Sequence, residues 1–454
     1  MNRRSFVSSV AAASALAATA SRLRAADAKS ARRPTLGVIG SGWYGGVNLK
    51  VFARCTDVEV TALCDVNTQN LTKTLALVAE LQSTVPQTFV DYRDLLATAA
   101  PDIVIIATPD HWHALPAIAA MRAGCDVYLE KPIGVDVIEG EAMVAAARKY
   151  DRVVQVNTQR RSNPLYLEAR DKYLRSGRMG KVSLVETYSY LGLEGWSDGP
   201  IPDAPVPAHL DYESYAGPAP KLPFKAIMED RGWRSFMEFG NGIIGNLGVH
   251  MLDKVRFLLD LDWPESIHST GGKYVHKKSF SNVSDTQHST FHYPDLDISW
   301  EHRMWGASPI PKRNWSDQWG ARFLGEHGTL NLTMYEYVFT PANGGPREGR
   351  HMMSTSGDLD NVDFSLAGQA FSETENRHVL DFMAARKQRT RPLADIEQGH
   401  ISSAMCVLAN LAVDLGRPLA YDPITRTVPG DPTATALLAQ PYRAPWRHPD
   451  PLNV

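Results

Sequence analysis

Cysteine is scarce: Cys55, Cys64, Cys125 and Cys406 are the only four in 454 residues, and no two fall at C-x-x-C spacing. That excludes a disulfide framework and a thiolate zinc ribbon, and leaves buried free thiols as the expected state. Neither sign of charge is in surplus, since 47 Lys and Arg against 50 Asp and Glu give a formal net charge of -3. Without a basic face there is no electrostatic case for nucleic acid or an anionic membrane. Beyond the first twenty residues no apolar run is long enough to span a bilayer, and no internal repeat is visible.

What is present is ordinarily globular, with 44% apolar and 21% charged residues over a length that exceeds one compact core. The N-terminus stands apart. Arg3-Arg4-Ser5-Phe6-Val7 precedes an apolar, small-residue stretch from Ser8 to Ala20 without an acidic residue, and Ala18-Thr19-Ala20 offers a small-x-small cleavage site. This reads as a twin-arginine signal followed by a linker, so residues 1–33 are set aside from the fold. The expected partner is the twin-arginine translocation machinery, and the expected location is the periplasm or the exterior.

From residue 34 to 157 short apolar runs at 35–40, 58–64, 102–107, 125–129 and 152–156, with a weaker one at 88–90, alternate with helical stretches such as 67–82 and 136–150. That alternation predicts a doubly wound parallel sheet. From 158 to 454 the pattern changes. A helix at 163–176 and a strand at 181–190 precede a proline- and glycine-rich stretch, 195–223. A helix at 244–259 leads into strands at 265–276, 284–293, 296–305, 319–325 and 329–340. An irregular loop, 341–368, and helices at 372–387 and 397–415 follow. Consecutive strands without intervening helices predict an α+β domain with a mostly antiparallel, open sheet.

Four motifs carry chemistry. Gly40-x-Gly42-Trp43-Tyr44-Gly45 follows a strand and opens a helix, the arrangement that seats a pyrophosphate on a helix N-terminus. Asp65 ends the next strand, where an acid accepts the adenosine ribose hydroxyls and repels a 2′-phosphate, so NAD is expected over NADP. Thr108-Pro109-Asp110-His111-Trp112-His113 and Glu130-Lys131-Pro132 end two further strands at the same edge. Asp110, His111 and His113 are metal-ligand types, yet a helix start with rings lining a nicotinamide pocket is the preferred reading, and no metal is expected. Lys131 there can hydrogen-bond a substrate hydroxyl and stabilise the alkoxide as hydride leaves. In Gly240-Asn241-Gly242-Ile-Ile-Gly245-Asn246-Leu-Gly248-Val-His250-Met-Leu-Asp253, helical spacing puts Asn246 and His250 on one face, with Asp253 placed to orient the imidazole.

Together these motifs resemble the Gfo/Idh/MocA oxidoreductases. Asp211-Tyr212, Gly217-Pro218-Ala219-Pro220, Trp233-Arg234 and the tail Pro441-Tyr442-Arg443-Ala444-Pro445-Trp446 resemble a secreted subgroup. The resemblance implies a Rossmann domain, a C-terminal α/β domain that forms a dimer or tetramer, and NAD held by Gly40, Gly42, Trp43, Tyr44, Gly45, Asp65, Thr108, Pro109, His111, His113, Glu130 and Lys131. It implies that Lys131 assists catalysis and that His250 is the acid/base. Many members carry Asp where this chain has Asn246, which can orient a hydroxyl but cannot take its proton. Arg160, Trp233, Arg234 and Asp253 complete the expected substrate side. The expected activity is oxidation of a secondary hydroxyl of a sugar, polyol or glycoside by tightly held NAD. The alternative is a glycosidase or lyase that oxidises its sugar only transiently. In such relatives the proline motif lacks the lysine, so retained Lys131 favours the dehydrogenase.

The export reading has a direct check. Replacing Arg3 and Arg4 together by lysine is expected to leave the protein in the cytoplasmic fraction on cell fractionation, whereas unchanged export would reject a twin-arginine signal.

Overall fold

The computed structural model describes residues 32–192, 199–311, 315–357, 359 and 361–454. The twin-arginine motif and its apolar stretch, within residues 1–31, lie outside these residues. Six strands, β1 (Thr35–Ile39), β2 (Glu59–Cys64), β3 (Gln87–Phe89), β4 (Ile103–Ile106), β5 (Asp126–Leu129) and β6 (Val154–Val156), pair in parallel in the order β3-β2-β1-β4-β5-β6. β4 reads Ile-Val-Ile-Ile and is buried at every position, as a strand covered on both faces must be. The helices Trp43–Cys55, Thr68–Leu81, Ala114–Arg122 and Val137–Lys149 supply that cover. Asn67 caps the second of them by accepting from the amides of Gln69 and Asn70. Strand order reverses between β1 and β4, which opens a crevice above their carboxyl ends.

The second sheet has eight strands in the order β14-β13-β12-β11-β7-β10-β9-β8. They are β7 (Val182–Ser189), β8 (Ser266–Gly272), β9 (Thr286–Tyr293), β10 (Leu296–Arg303), β11 (Trp319–Gly325), β12 (Gly328–Leu332), β13 (Glu336–Pro341) and β14 (Glu348–His351). Only the β7–β10 pairing is parallel. Along β10 the residues Leu296, Ile298, Trp300 and His302 are buried in strict alternation, so one face of the sheet packs inward.

Three expectations need correction. The single strand expected at 329–340 is a hairpin, because the chain turns at Thr333, whose amide donates to Glu336 O at 3.0 Å. The loop expected at 341–368 contains β14, a four-residue edge strand whose glycine- and proline-rich flanks hide it. The helices expected at 163–176 and 244–259 each contain a π turn, at Arg170–Leu174 and Ile244–Gly248.

The far end of the chain returns to the first sheet. Helix Ala367–Gln388 lays Val379, Phe382 and Ala385 into the core that holds Leu36, Val38 and Phe52. Phe382 meets Tyr128 and Phe52 edge-on, with ring centroids 5.7 and 6.1 Å apart. Trp446 of the tail meets Trp112 at 4.8 Å, and Val454 packs into the core on the other face. All four cysteines are free.

One ion pair ties several of these segments together. Arg161, just beyond β6, donates from Nε and Nη2 to the two carboxylate oxygens of Asp253 at 2.8 Å each, and from Nη1 to Leu393 O at 3.1 Å. Ser402 on helix Ile396–Leu415 donates to Asp253 Oδ1 at 2.9 Å. Asp253 is fully buried, its carboxylate is held by Arg161 and Ser402 and not by His250, and it does not line the cavity, which corrects its expected place on the substrate side. Removing one partner strands a buried charge. Asp253→Ala is expected to destabilise the fold by about 3–5 kcal/mol, read as a lowered denaturant midpoint; a loss below about 1 kcal/mol would show the pair to be peripheral.

Candidate active site

Glycine is forced at two fingerprint positions. Gly40 has φ +84°, and a Cβ there would stand 2.6 Å from Ala107 C and Thr108 N. A Cβ on Gly45 would stand 2.1 Å from Gly40 O, so the helix packs directly on the strand turn. Gly42 precedes the first helical residue, and a Cβ there would stand 3.3 Å from Asn70 Nδ2, so glycine keeps this helix start clear of a side chain. Asp65 accepts from Asn67 N at 2.9 Å, and from Ser41 Oγ and Asn70 Nδ2 at 3.3 Å. Burial pushes its carboxyl up to about 6. These groups fit a nucleotide, with amides for the pyrophosphate and a fixed carboxylate for the ribose.

They line one end of a cavity of about 900 Å³, which also takes in Trp43, Tyr44, Thr108, Pro109, His113, Glu130, Lys131, Arg160, Trp233, Arg234, Asn246 and His250. Trp43 is half-exposed at the rim with the Arg231 guanidinium 4.3 Å from its ring centre. Glu130 Oε1 accepts from Asn48 Nδ2 at 2.7 Å and Asn157 Nδ2 at 2.6 Å. Neither asparagine stood out in the sequence, although Asn48 lies three residues beyond Gly45 on the same inward helix face.

His111 requires correction. It does not line the cavity. Its Nε2 lies 2.9 Å from Tyr215 O and its ring sits 4.9 Å from that of Phe239, so it braces the stretch 212–239 against the first sheet. His113 lines the cavity, but its ring nitrogens face Pro132 O at 2.7 Å and Thr108 O at 2.9 Å. Burial pulls both imidazoles down to about 4, against the opposing pull of these carbonyls. Among the described residues no three His, Cys, Asp or Glu side chains gather as a metal site.

The reactive end centres on Lys131. Its Nζ donates to Asn246 O at 2.8 Å and to Asn246 Oδ1 at 3.2 Å. An ammonium has three protons; Asn246 takes two directions, and the third is free for a ligand. Asn246 therefore orients the lysine, and it lines the cavity beside it. The π turn Ile244–Gly248 makes this possible by shifting Asn246 out of simple α-helical register with His250. Burial, and then the Arg234 charge, pull Lys131 down to about 8. Asp110, beside them, is raised by burial. His250 falls well below its ordinary value because it is buried among Lys131, Arg160 and Lys254, so it is a neutral imidazole.

Three buried polar atoms here have no partner: His250 Nδ1, Arg160 Nε and Trp319 Nε1. The rings and guanidinium are neighbours. His250 meets Trp319 edge-on at 5.7 Å, and the Arg160 guanidinium lies 5.7 Å from the Trp319 ring centre. Trp233 is buried, with the Arg234 guanidinium 4.1 Å from its ring. Glu375, which the sequence did not single out, accepts from Gln159 behind this cluster at 3.0 Å.

Two family profiles match. One, described as an oxidoreductase family NAD-binding Rossmann fold, covers residues 35–158; its companion, a C-terminal alpha/beta domain, covers 182–295 and 345–448. A glycosyl hydrolase family 109 protein of Stenotrophomonas maltophilia is 41% identical over 142 residues, 30% of either chain. The rhizopine catabolism protein MocA of Rhizobium meliloti is 25% identical over 49% of this chain and 56% of its own. Inositol 2-dehydrogenase of Salmonella agona is 28% identical over 34% and 45%. Each match spans less than two thirds of the relative. Levoglucosan dehydrogenase in complex with NADH and levoglucosan superposes with TM-score 0.65 over 86% of this chain and 99% of that one at 16% identity. An Agrobacterium radiobacter oxidoreductase in complex with NAD+, L-tartaric acid and magnesium gives 0.63 over 86% and 98%, also at 16%. With both halves of the chain matched and the glycine turn, Asp65 and Lys131 in place, the protein belongs to the Gfo/Idh/MocA oxidoreductase family and carries its NAD-binding Rossmann fold.

Proposed function

We propose that this protein oxidises a secondary hydroxyl of a sugar, polyol or glycoside. The observation that carries the reading is that Lys131, oriented by Asn246 with one proton direction left over, meets His250 in the same cavity as the glycine turn and Asp65. When bound, NAD supplies the hydride acceptor. Asn246 aims the Lys131 ammonium, which donates to the substrate oxygen and favours its ionised form. His250, neutral at working pH, accepts the hydroxyl proton. The positive charges of Lys131 and Arg160 discourage it from keeping that proton, so it passes it on to solvent.

The sign of the pH dependence follows. Lys131 is an ammonium below about 8 and a neutral amine above it. Oxidation measured as kcat/KM is expected to hold through neutrality and to fall as pH rises past about 8. Lys131→Met is expected to abolish that limb and to lower kcat by roughly 10²–10⁴-fold with nucleotide still bound. A rate that climbs through the same range would instead make the neutral amine the base.

The likeness to glycosyl hydrolase family 109 favours a second reading, in which the hydride returns and a glycosidic bond breaks. The reading also includes export by the twin-arginine machinery as a folded, NAD-loaded homo-oligomer that regenerates its cofactor within the cycle. Protein purified without added nucleotide, incubated with a panel of sugars and glycosides, is expected to show lasting nicotinamide reduction that a second sugar reverses. Glycoside cleavage without lasting reduction would move the second reading to first place.

A further inference from the structure

From His250 outward, one wall of the cavity is a pair of indoles. Trp319 is 3% exposed and faces His250 and Arg160. Trp315 stacks on it with ring centroids 6.1 Å apart and planes 18° from parallel. Both line the cavity, yet Trp315 is 50% exposed. The local sequence explains the pairing. Trp315–Gln318 is one turn of 3-10 helix, which brings residues four apart to the start of β11, where Trp319 is anchored opposite Ser189 of β7. Trp319 is thereby a fixed wall of the reacting subsite, and Trp315 continues that wall past the reacting ring toward the mouth.

A half-exposed indole in a cavity wall is a large apolar face awaiting cover. Its position restricts what can cover it. Trp319 meets His250 at 5.7 Å and Trp315 lies a further 6.1 Å ring to ring beyond Trp319, so an occupant that touches both His250 and Trp315 spans more than one indole, and tryptophan faces stack on the C–H surfaces of pyranoses. Leu191 and Gly192 line the same cavity, and Gly192 carries no side chain to block the approach.

We propose that Trp315 is the platform of a second sugar subsite, so that the preferred substrate is a disaccharide or longer glycoside whose first ring is oxidised at Lys131 and whose second ring stacks on Trp315. This rests on the reading of the site as a sugar dehydrogenase and specifies its substrate class. Stacking on an aromatic face in a partly wet site is enough to change selectivity about tenfold, by analogy with bases stacked on aromatic side chains.

The test compares a methyl glycoside, the matching disaccharide and a nitrophenyl glycoside on the NAD-loaded full chain, in wild type, Trp315→Ala and Trp315→Phe. Turnover is followed as nicotinamide reduction, and binding separately by calorimetry. The ratio of disaccharide to methyl-glycoside kcat/KM is expected to fall about tenfold in Trp315→Ala and to recover largely in Trp315→Phe. Equal losses on both substrates, or none, overturn the subsite. A loss confined to the nitrophenyl glycoside overturns its assignment to a sugar ring. If nothing is oxidised but the calorimetric affinities shift in the same ratio, the subsite stands and the dehydrogenase reading fails. If no glycoside binds, both fail.

Discussion

The buried pair between Arg161 and Asp253 is the constraint on which the site depends. Arg161 adjoins Arg160, and Asp253 lies three residues after His250, so the bond fixes two cavity-lining side chains through their immediate chain neighbours. It also joins helix Val249–Leu259 to helix Ile396–Leu415 through Ser402. Two charges out of water contribute little net stability even when well paired. What the pair supplies is geometry: it sets where the helix carrying His250 sits relative to the strand end carrying Lys131.

Electrostatics in the cavity follow from that placement. Lys131, Arg160 and Arg234 crowd one end of a mostly apolar chamber, with Asp110, Glu130 and Glu375 close to them, the latter two anchored by amides. A cation-rich, poorly hydrated pocket lowers the cost of creating an oxyanion within it. It equally raises the cost of an imidazolium. The same field that the Lys131 charge belongs to therefore disfavours a charge on His250.

Much of this was legible in the sequence where function follows from position on a strand. Gly40, Asp65, Thr108 and Lys131 each end a parallel strand, and the crevice at the strand ends brings them together. What escaped was partnership across long separations. Arg161 lies 92 residues from Asp253, so spacing alone assigned that acid to the nearby histidine instead. His111 shares a motif with His113, yet its turn of 3-10 helix points it at the backbone of Tyr215. Asn246 was placed on the right face for an incomplete reason, because a π turn cannot be seen in a periodicity that suits an ordinary helix. β14 was hidden because a four-residue edge strand makes too few apolar alternations to register.

The return of helix Ala367–Gln388 to the first sheet has a consequence for biosynthesis. Leu36, Val38 and Phe52 leave the ribosome early, but Val379 and Phe382, which cover them, are made more than three hundred positions later. Until then the nascent nucleotide-binding half presents an open aliphatic face, and closing it is a long-range step of the kind that slows folding and invites chaperone capture. A chain that stops short of that helix lacks its cover on Leu36, Val38 and Phe52, so residues 367–388 decide whether the nucleotide-binding half is closed.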